Sequence, residues 1–178
     1  MGSDRGAAPG AAATAHDGLR TLREELAKAV QTRAHGRIQG MSTHFGEDYQ
    51  HGSDPEAVAY QTTGGHFHWV AFAFAPWRMW DLHLGCVALD DRLLSVGFHI
   101  SERAAPFMKA ELERLGAEIG ATVQHQKAAV EYQANLPPVA VDGVSLDRLA
   151  DTVTELCHKY SQAANRVACP PEMRADVR

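Results

Sequence analysis

The sequence predicts an α+β fold: one domain with an antiparallel sheet of five or six strands and helices packed on its apolar face. Three observations carry this. A chain of 178 residues supplies one core and little more. Its apolar residues recur with a period near 3.6 in three segments and near 2 in several others. Those segments separate into groups instead of alternating strictly, which disfavours a doubly wound parallel sheet.

The first helix is expected over 17–34, where Leu19, Leu22, Leu26 and Val30 form one stripe and Asp17 stands at the cap position. Residues 36–55 read as an irregular segment punctuated by Gly36, Gly40, Gly46 and Gly52. A meander is expected over 57–100. Its strands are 57–63 (or, there, a short helix capped by Asp54), 66–75, 79–89 and 93–100, with turns at Gly64-Gly65, Pro76-Trp77-Arg78 and Asp90-Asp91-Arg92. Pro106 opens a second helix that Gly120 stops. Two short strands follow at 121–126 and 129–136, the second alternating Val130, Tyr132, Ala134 and Leu136. Ser145 caps the clearest helix, which runs to about Val167 on a stripe from Leu146 to Val167. The helices at 106–119 and 146–167 are expected on the apolar face. The N-terminal helix and the 36–55 loop are expected to cover part of the other. Residues 1–16, rich in Ala and Gly, read as a flexible tail, 17–168 as the domain, and 169–178 as a C-terminal tail.

Several function classes are excluded or disfavoured. With 45% hydrophobic and 22% charged residues the chain is neither disordered throughout nor fibrous. A net charge of −5 leaves no basic footprint for nucleic acid. No apolar run is long enough to span a membrane, and the N-terminus lacks the pattern of a signal peptide. Cys86, Cys157 and Cys169 are odd in number and lack metal-ligand spacing, so reduced thiols in a cytoplasm are expected. No phosphate-cradling, dinucleotide-binding or hydrolase motif occurs.

The unusual feature is 10 histidines against 4 lysines. Side chains alternate across a strand, so register decides which of them meet. A three-residue loop at 90–92 places Leu82, Leu84, Cys86 and Ala88 opposite Ile100, Phe98, Val96 and Leu94 on one apolar face. The other face then pairs Asp81 with Ser101, His83 with His99, Gly85 with Gly97 and Val87 with Ser95. A two-residue loop would mix histidine with Phe98, so hydrophobicity selects the first register. If Phe67, Trp69, Ala71 and Ala73 join the core, then His66, His68, Val70 and Phe72 share the side of His83. Opposed glycines there leave room for a pocket floor.

Such a face suits two chemistries. Paired imidazoles donate and accept protons near neutral pH, with Asp81 orienting one ring and Ser101 hydrogen-bonding a substrate. His66, His68, Phe72, Trp77 and Arg78 would line the binding region. The other chemistry is a metal such as zinc on His83, His99 and His68. His44, Glu47, Asp48 and His51 would align on one face of a helix, but Gly46 and Gly52 oppose a helix there. A polar loop, serving as a lid, is the plainer reading. Trp69 and Trp80 are expected in the core and Trp77 at the surface.

The stretch Trp80-Asp81-Leu82-His83-Leu84-Gly85, then Gly97-Phe98-His99-Ile100, then Ala104 to Phe107 and a leucine-rich helix, resembles an uncharacterised bacterial domain often appended to restriction-nuclease-like proteins. The resemblance covers about residues 66–166. It implies a fold and an accessory role, and it carries over no catalytic residue, since the acidic cluster of a nuclease is missing. The leading expectation is a small cytoplasmic enzyme or ligand-binding protein that cyclises, isomerises, eliminates or hydrolyses a small organic molecule. The alternative is a non-catalytic, defence-associated interaction module whose histidine face is an interface or homodimer seam.

Overall fold

Alternation in the middle of the chain builds the sheet. In the computed structural model, which describes residues 9–47, 68–88, 93–127 and 130–176, the strands are β1 (Met41–Glu47), β2 (His68–Phe74), β3 (Leu82–Ala88), β4 (Leu93–Ser101), β5 (Gln124–Gln126), β6 (Glu131–Asn135) and β7 (Val139–Ala140). The helices are α1 (Pro9–Ala34), α2 (Ala105–Glu118) and α3 (Ser145–Arg166). All strand pairings are antiparallel, in the order β1-β2-β3-β4-β6-β5, with β7 beside the start of β4. The sheet thus has seven strands among the described residues, slightly more than the five or six expected. The α+β class holds, and the expected strand at 57–63 lies outside the described residues.

The β3–β4 pairing has the register that hydrophobicity selects: Leu82 faces Ile100, His83 faces His99, Leu84 faces Phe98 and Gly85 faces Gly97. A slip of one residue would move every apolar side chain of the strand to the polar side. The parity of β2 is the reverse of that expected. Val70 pairs with Cys86 and Phe72 with Leu84, so Val70, Phe72 and Phe74 are buried on the helix side. Trp69, Ala71 and Ala73 lie on the histidine side instead. Burying a large apolar side chain stabilises the fold by about 1.5–3 kcal/mol, and this parity buries Val70 and two phenylalanines at the cost of two alanines and a half-buried indole.

This parity widens the apolar face, and three helices cover it. Leu19, Leu26 and Val30 of α1 are buried with Leu149, Val153, Leu156 and Tyr160 of α3 in one core. So α1 sits beside α3 on the apolar face, not on the histidine face. Arg33 of α1 fastens the pair, donating to Asp151 at 2.7 Å and Asp147 at 3.0 Å. The helix α1 starts at Pro9, before the expected cap at Asp17, because alanine-rich sequence propagates a helix readily. For α3 the cap is Asp142, not Ser145. Its carboxylate accepts from the backbone N–H of Val144 and Ser145 at 3.1 and 2.8 Å. Gly120 stops α2 as expected, in the left-handed region at φ 70°.

Residues 41–47 are an edge strand, not part of an irregular lid. The Arg23 guanidinium of α1 ties it down by donating to the Gly46 carbonyl at 2.9 Å. The C-terminal segment does not trail off. Met173 and Cys169 are buried, Arg78 N–H donates to the Met173 carbonyl at 2.9 Å, and Ala175 N–H donates to the Pro76 carbonyl at 2.8 Å. That segment and α3 enclose Trp77, which is 1% exposed and donates to the Ala164 carbonyl. The three cysteines are free thiols, all buried. Among the described residues no helix is long and apolar enough to cross a membrane.

Candidate functional site

The face of the sheet away from the helices is built in rows. One row runs Ser42, Ala73, His83, His99, Gln133 from β1 to β6. The next runs His44, Ala71, Gly85, Gly97, Asn135. Small residues in the second row create space over it. A Cβ on Gly85 would stand 2.7 Å from Cε1 of His99, and one on Gly97 would collide with the Asn135 amide. Farther along the sheet the Trp69 indole lies across Gly46 in the same way. The glycines of this face therefore let ring and amide side chains lie flat against the backbone.

A cavity of about 630 Å³ occupies this face, within the range of small-molecule sites. Its polar lining includes His83, His99, Glu131, Gln133, Ser101 and Arg103, and its apolar lining includes Trp69, Trp80 and Met79. The two indoles meet edge to face with centroids 6.2 Å apart, and Trp80 is 59% exposed. Val130, on the rim, holds a left-handed backbone at φ 57°. A β-branched residue rarely adopts that conformation, and such strain concentrates at functional sites.

The hydrogen bonds assign the imidazole tautomers. Nδ1 of His83 donates to the Met79 carbonyl at 2.8 Å, which leaves Nε2 as a lone pair. On β6 a polarised run starts from the Glu131 carboxylate, which has only acceptors to offer. Gln133 donates its amide to Glu131, and Asn135 donates to the Gln133 oxygen at 2.9 Å. That orientation turns the Asn135 oxygen toward His99, whose Nε2 donates to it at 3.2 Å. Nδ1 of His99 is then the lone pair, 3.4 Å from the Glu131 carboxylate. The rings of His83 and His99 meet edge to face at 4.8 Å. Beneath them, Tyr160 of α3 donates to the His99 carbonyl at 2.7 Å and fixes β4 to the core.

Burial pushes the imidazoles of both His83 and His99 down to about 4, with the neighbouring His99 and His44 adding to the effect at His83. Both rings are neutral near pH 7. One ligand atom each from His83, His99 and Glu131 lies within 4.8 Å of the others. The site is thus a cluster of three acceptors, two nitrogens and one carboxylate oxygen.

The structure brings His83 and His99 together as the register predicts, and it places Asp81 and Ser101 beside them with a different task. Asp81 orients neither imidazole. It accepts the Ser101 hydroxyl at 2.7 Å, and Ser101 in turn accepts the Ala104 N–H at the start of α2. The carbonyl of Met79 and the amide of Asn135 take the orienting role. His68 and Phe72 are buried on the opposite face, a consequence of the reversed parity of β2, so His68 does not join a metal set with His83 and His99. Trp77 is in the core, and Arg78 donates from Nε to the Arg174 carbonyl at 2.9 Å. Trp80 and Trp69, expected in the core, are the exposed and half-buried indoles of the cavity. His44 is on β1, in the row beside His83, with Nε2 2.9 Å from the Ser42 hydroxyl. Glu47 ends the same strand, which removes the helical alignment. His66, Asp48 and His51 lie outside the described residues.

Sequence reasoning missed Glu131, Gln133 and Asn135. The alternation that assigns Tyr132 and Ala134 to the core also assigns these three to the other face. What the alternation lacks is the partner strand. The chain matches no family model, and no curated protein and no solved structure is similar to it beyond chance.

Proposed function

We propose that the protein binds a small, largely planar organic molecule in this cavity and catalyses proton transfer on it. The observation that carries the reading is the convergence of three proton-accepting groups, His83, His99 and Glu131, in a cavity that two indoles also line. Three acceptors without a donor among them favour a ligand that brings the donor, such as a hydroxyl, an amine or an acidic C–H. A proton leaving that ligand passes to Nε2 of His83 or to the Glu131 carboxylate. On His83 the resulting imidazolium keeps its bond to the Met79 carbonyl, which stabilises the charge. Return of the proton to another atom of the ligand makes the reaction an isomerisation or cyclisation, and loss of a leaving group makes it an elimination. The indoles hold the ring by stacking and exclude water from it.

The test is a ligand-observed NMR screen of the full chain with bicyclic aromatic alcohols and amines, 1-naphthol among them. Binding weakened about tenfold by Trp80→Ala, with slower solvent-deuterium exchange into the bound compound in Glu131→Gln, supports the reading. Binding indifferent to both substitutions, or no binding across the panel, overturns it. A second reading rests on the exposed Trp80 at the rim: the cavity accepts a side chain of a partner protein, consistent with an accessory role. Self-association of the wild type that is lost in Trp80→Ala favours the version of that reading in which the partner is a second copy.

A further inference from the structure

We infer that His83, His99 and Glu131 form a binding site for a divalent transition cation of the zinc class. This rests on the cavity being the functional site; a bound cation would take up the lone pairs of His83 and Glu131 and would itself activate the hydroxyl or amine of the ligand at its open position, in place of direct proton transfer to those side chains. The hydrogen-bond network carries the argument. Each imidazole already spends its N–H on an outer acceptor: His83 on the Met79 carbonyl, His99 on the Asn135 oxygen. The free Nδ1 of His99 stands 3.4 Å from the Glu131 carboxylate, and one ligand atom from each of His83, His99 and Glu131 lies within 4.8 Å of the others. None of these three groups sets an N–H between the acceptors, so a cation held there would satisfy their lone pairs together.

The outer contacts are those that metal-ligating histidines have: an N–H to a carbonyl or amide oxygen, which fixes tautomer and ring direction. The run from His99 through Asn135 and Gln133 ends on the third ligand itself, so the second donor set is closed upon the first. The separations fit. Ligands about 2.1 Å from a tetrahedral ion stand about 3.4 Å apart, and Nδ1 of His99 is 3.4 Å from the Glu131 carboxylate. The other separations in the donor set are at most 4.8 Å, no more than about 1.4 Å beyond that spacing. Two nitrogens and one carboxylate suit zinc, leaving a fourth position that faces the cavity. Gly85 is part of the site, since any side chain there would push the His99 ring out of place.

The experiment uses the full chain stripped with EDTA and titrated with zinc chloride by calorimetry. One equivalent is expected to bind, with affinity reduced at least tenfold in Glu131→Gln and in His83→Gln and unchanged in His125→Gln, a histidine outside the cavity. Circular dichroism confirms that each variant is folded. Asn135→Leu, which removes only an outer contact, is expected to weaken zinc about tenfold. Less than a tenth of an equivalent in the wild type overturns the inference, as does equal binding by folded Glu131→Gln and His83→Gln. Binding of 1-naphthol without zinc binding sinks the metal site and leaves the proposed function standing. Zinc binding without any organic ligand does the reverse.

Discussion

Acidification should destabilise this protein through two particular imidazoles. An exposed histidine in the unfolded chain titrates near 6.5, whereas His83 and His99 are pushed down to about 4 by burial. A folded-state pKa below the unfolded one means that protons bind the unfolded chain first. The native state keeps its full stability above about pH 6.5 and loses it as the pH falls toward 4. At pH 5.0 each group costs about 2 kcal/mol relative to pH 7.5, so the pair costs about 4 kcal/mol. That is a large share of the roughly 5–15 kcal/mol that holds a domain together. Urea unfolding in EDTA at the two pH values, followed by far-UV circular dichroism, measures the loss. Carboxylates titrate mostly below this window, so the difference between wild type and a His83→Gln/His99→Gln double variant isolates the pair. The variant should lose about 4 kcal/mol less than the wild type over the range. Equal pH dependence in the two proteins would refute the reasoning, as would imidazole midpoints near 6.5 by NMR for the folded chain.

Three further outcomes are expected. Gly85→Ala places a methyl group against the His99 ring and should cost about 1–3 kcal/mol, while shifting the His99 imidazole resonances more than those of His125. Trp77→Phe removes the bond to the Ala164 carbonyl and part of the wall between α3 and the C-terminal segment, so thermal melting should report a loss of about 2–4 kcal/mol. Cys86 is buried with its thiol pushed up to about 12, and burial raises Cys157 well above its ordinary value, so neither should react with a thiol reagent until the chain unfolds. Rapid labelling of both under native conditions would contradict the packing of β3 against α3.

The β3–β4 register was legible because the penalty for error is local and large. Leu82, Leu84 and Cys86 face Ile100, Phe98 and Val96 in one pairing only, and that pairing sets His83 opposite His99. The long α3 was legible for the same kind of reason, through a stripe that one helical period explains. The parity of β2 was not, because both of its faces are apolar and alternation cannot choose between Trp69 with Ala71 and Val70 with Phe72. The width of the core and the demand of α1 for a partner decide it.

By itself the sequence determined the α+β class, the helix-forming stripes and one pair of histidines, since these depend on periodicity within a segment or across one short turn. Only the tertiary structure decided the third member of the cluster. Glu131 reaches His99 because α2 and β5 carry the chain back so that β6 pairs with β4. A contact between strands separated by a helix leaves no local pattern. It arises from how the whole apolar face is covered. The same holds for the tryptophans: Trp77 is enclosed by a C-terminal segment far away in sequence, and Trp80 is left at the cavity rim because nothing among the described residues packs over it as α3 packs over Trp77.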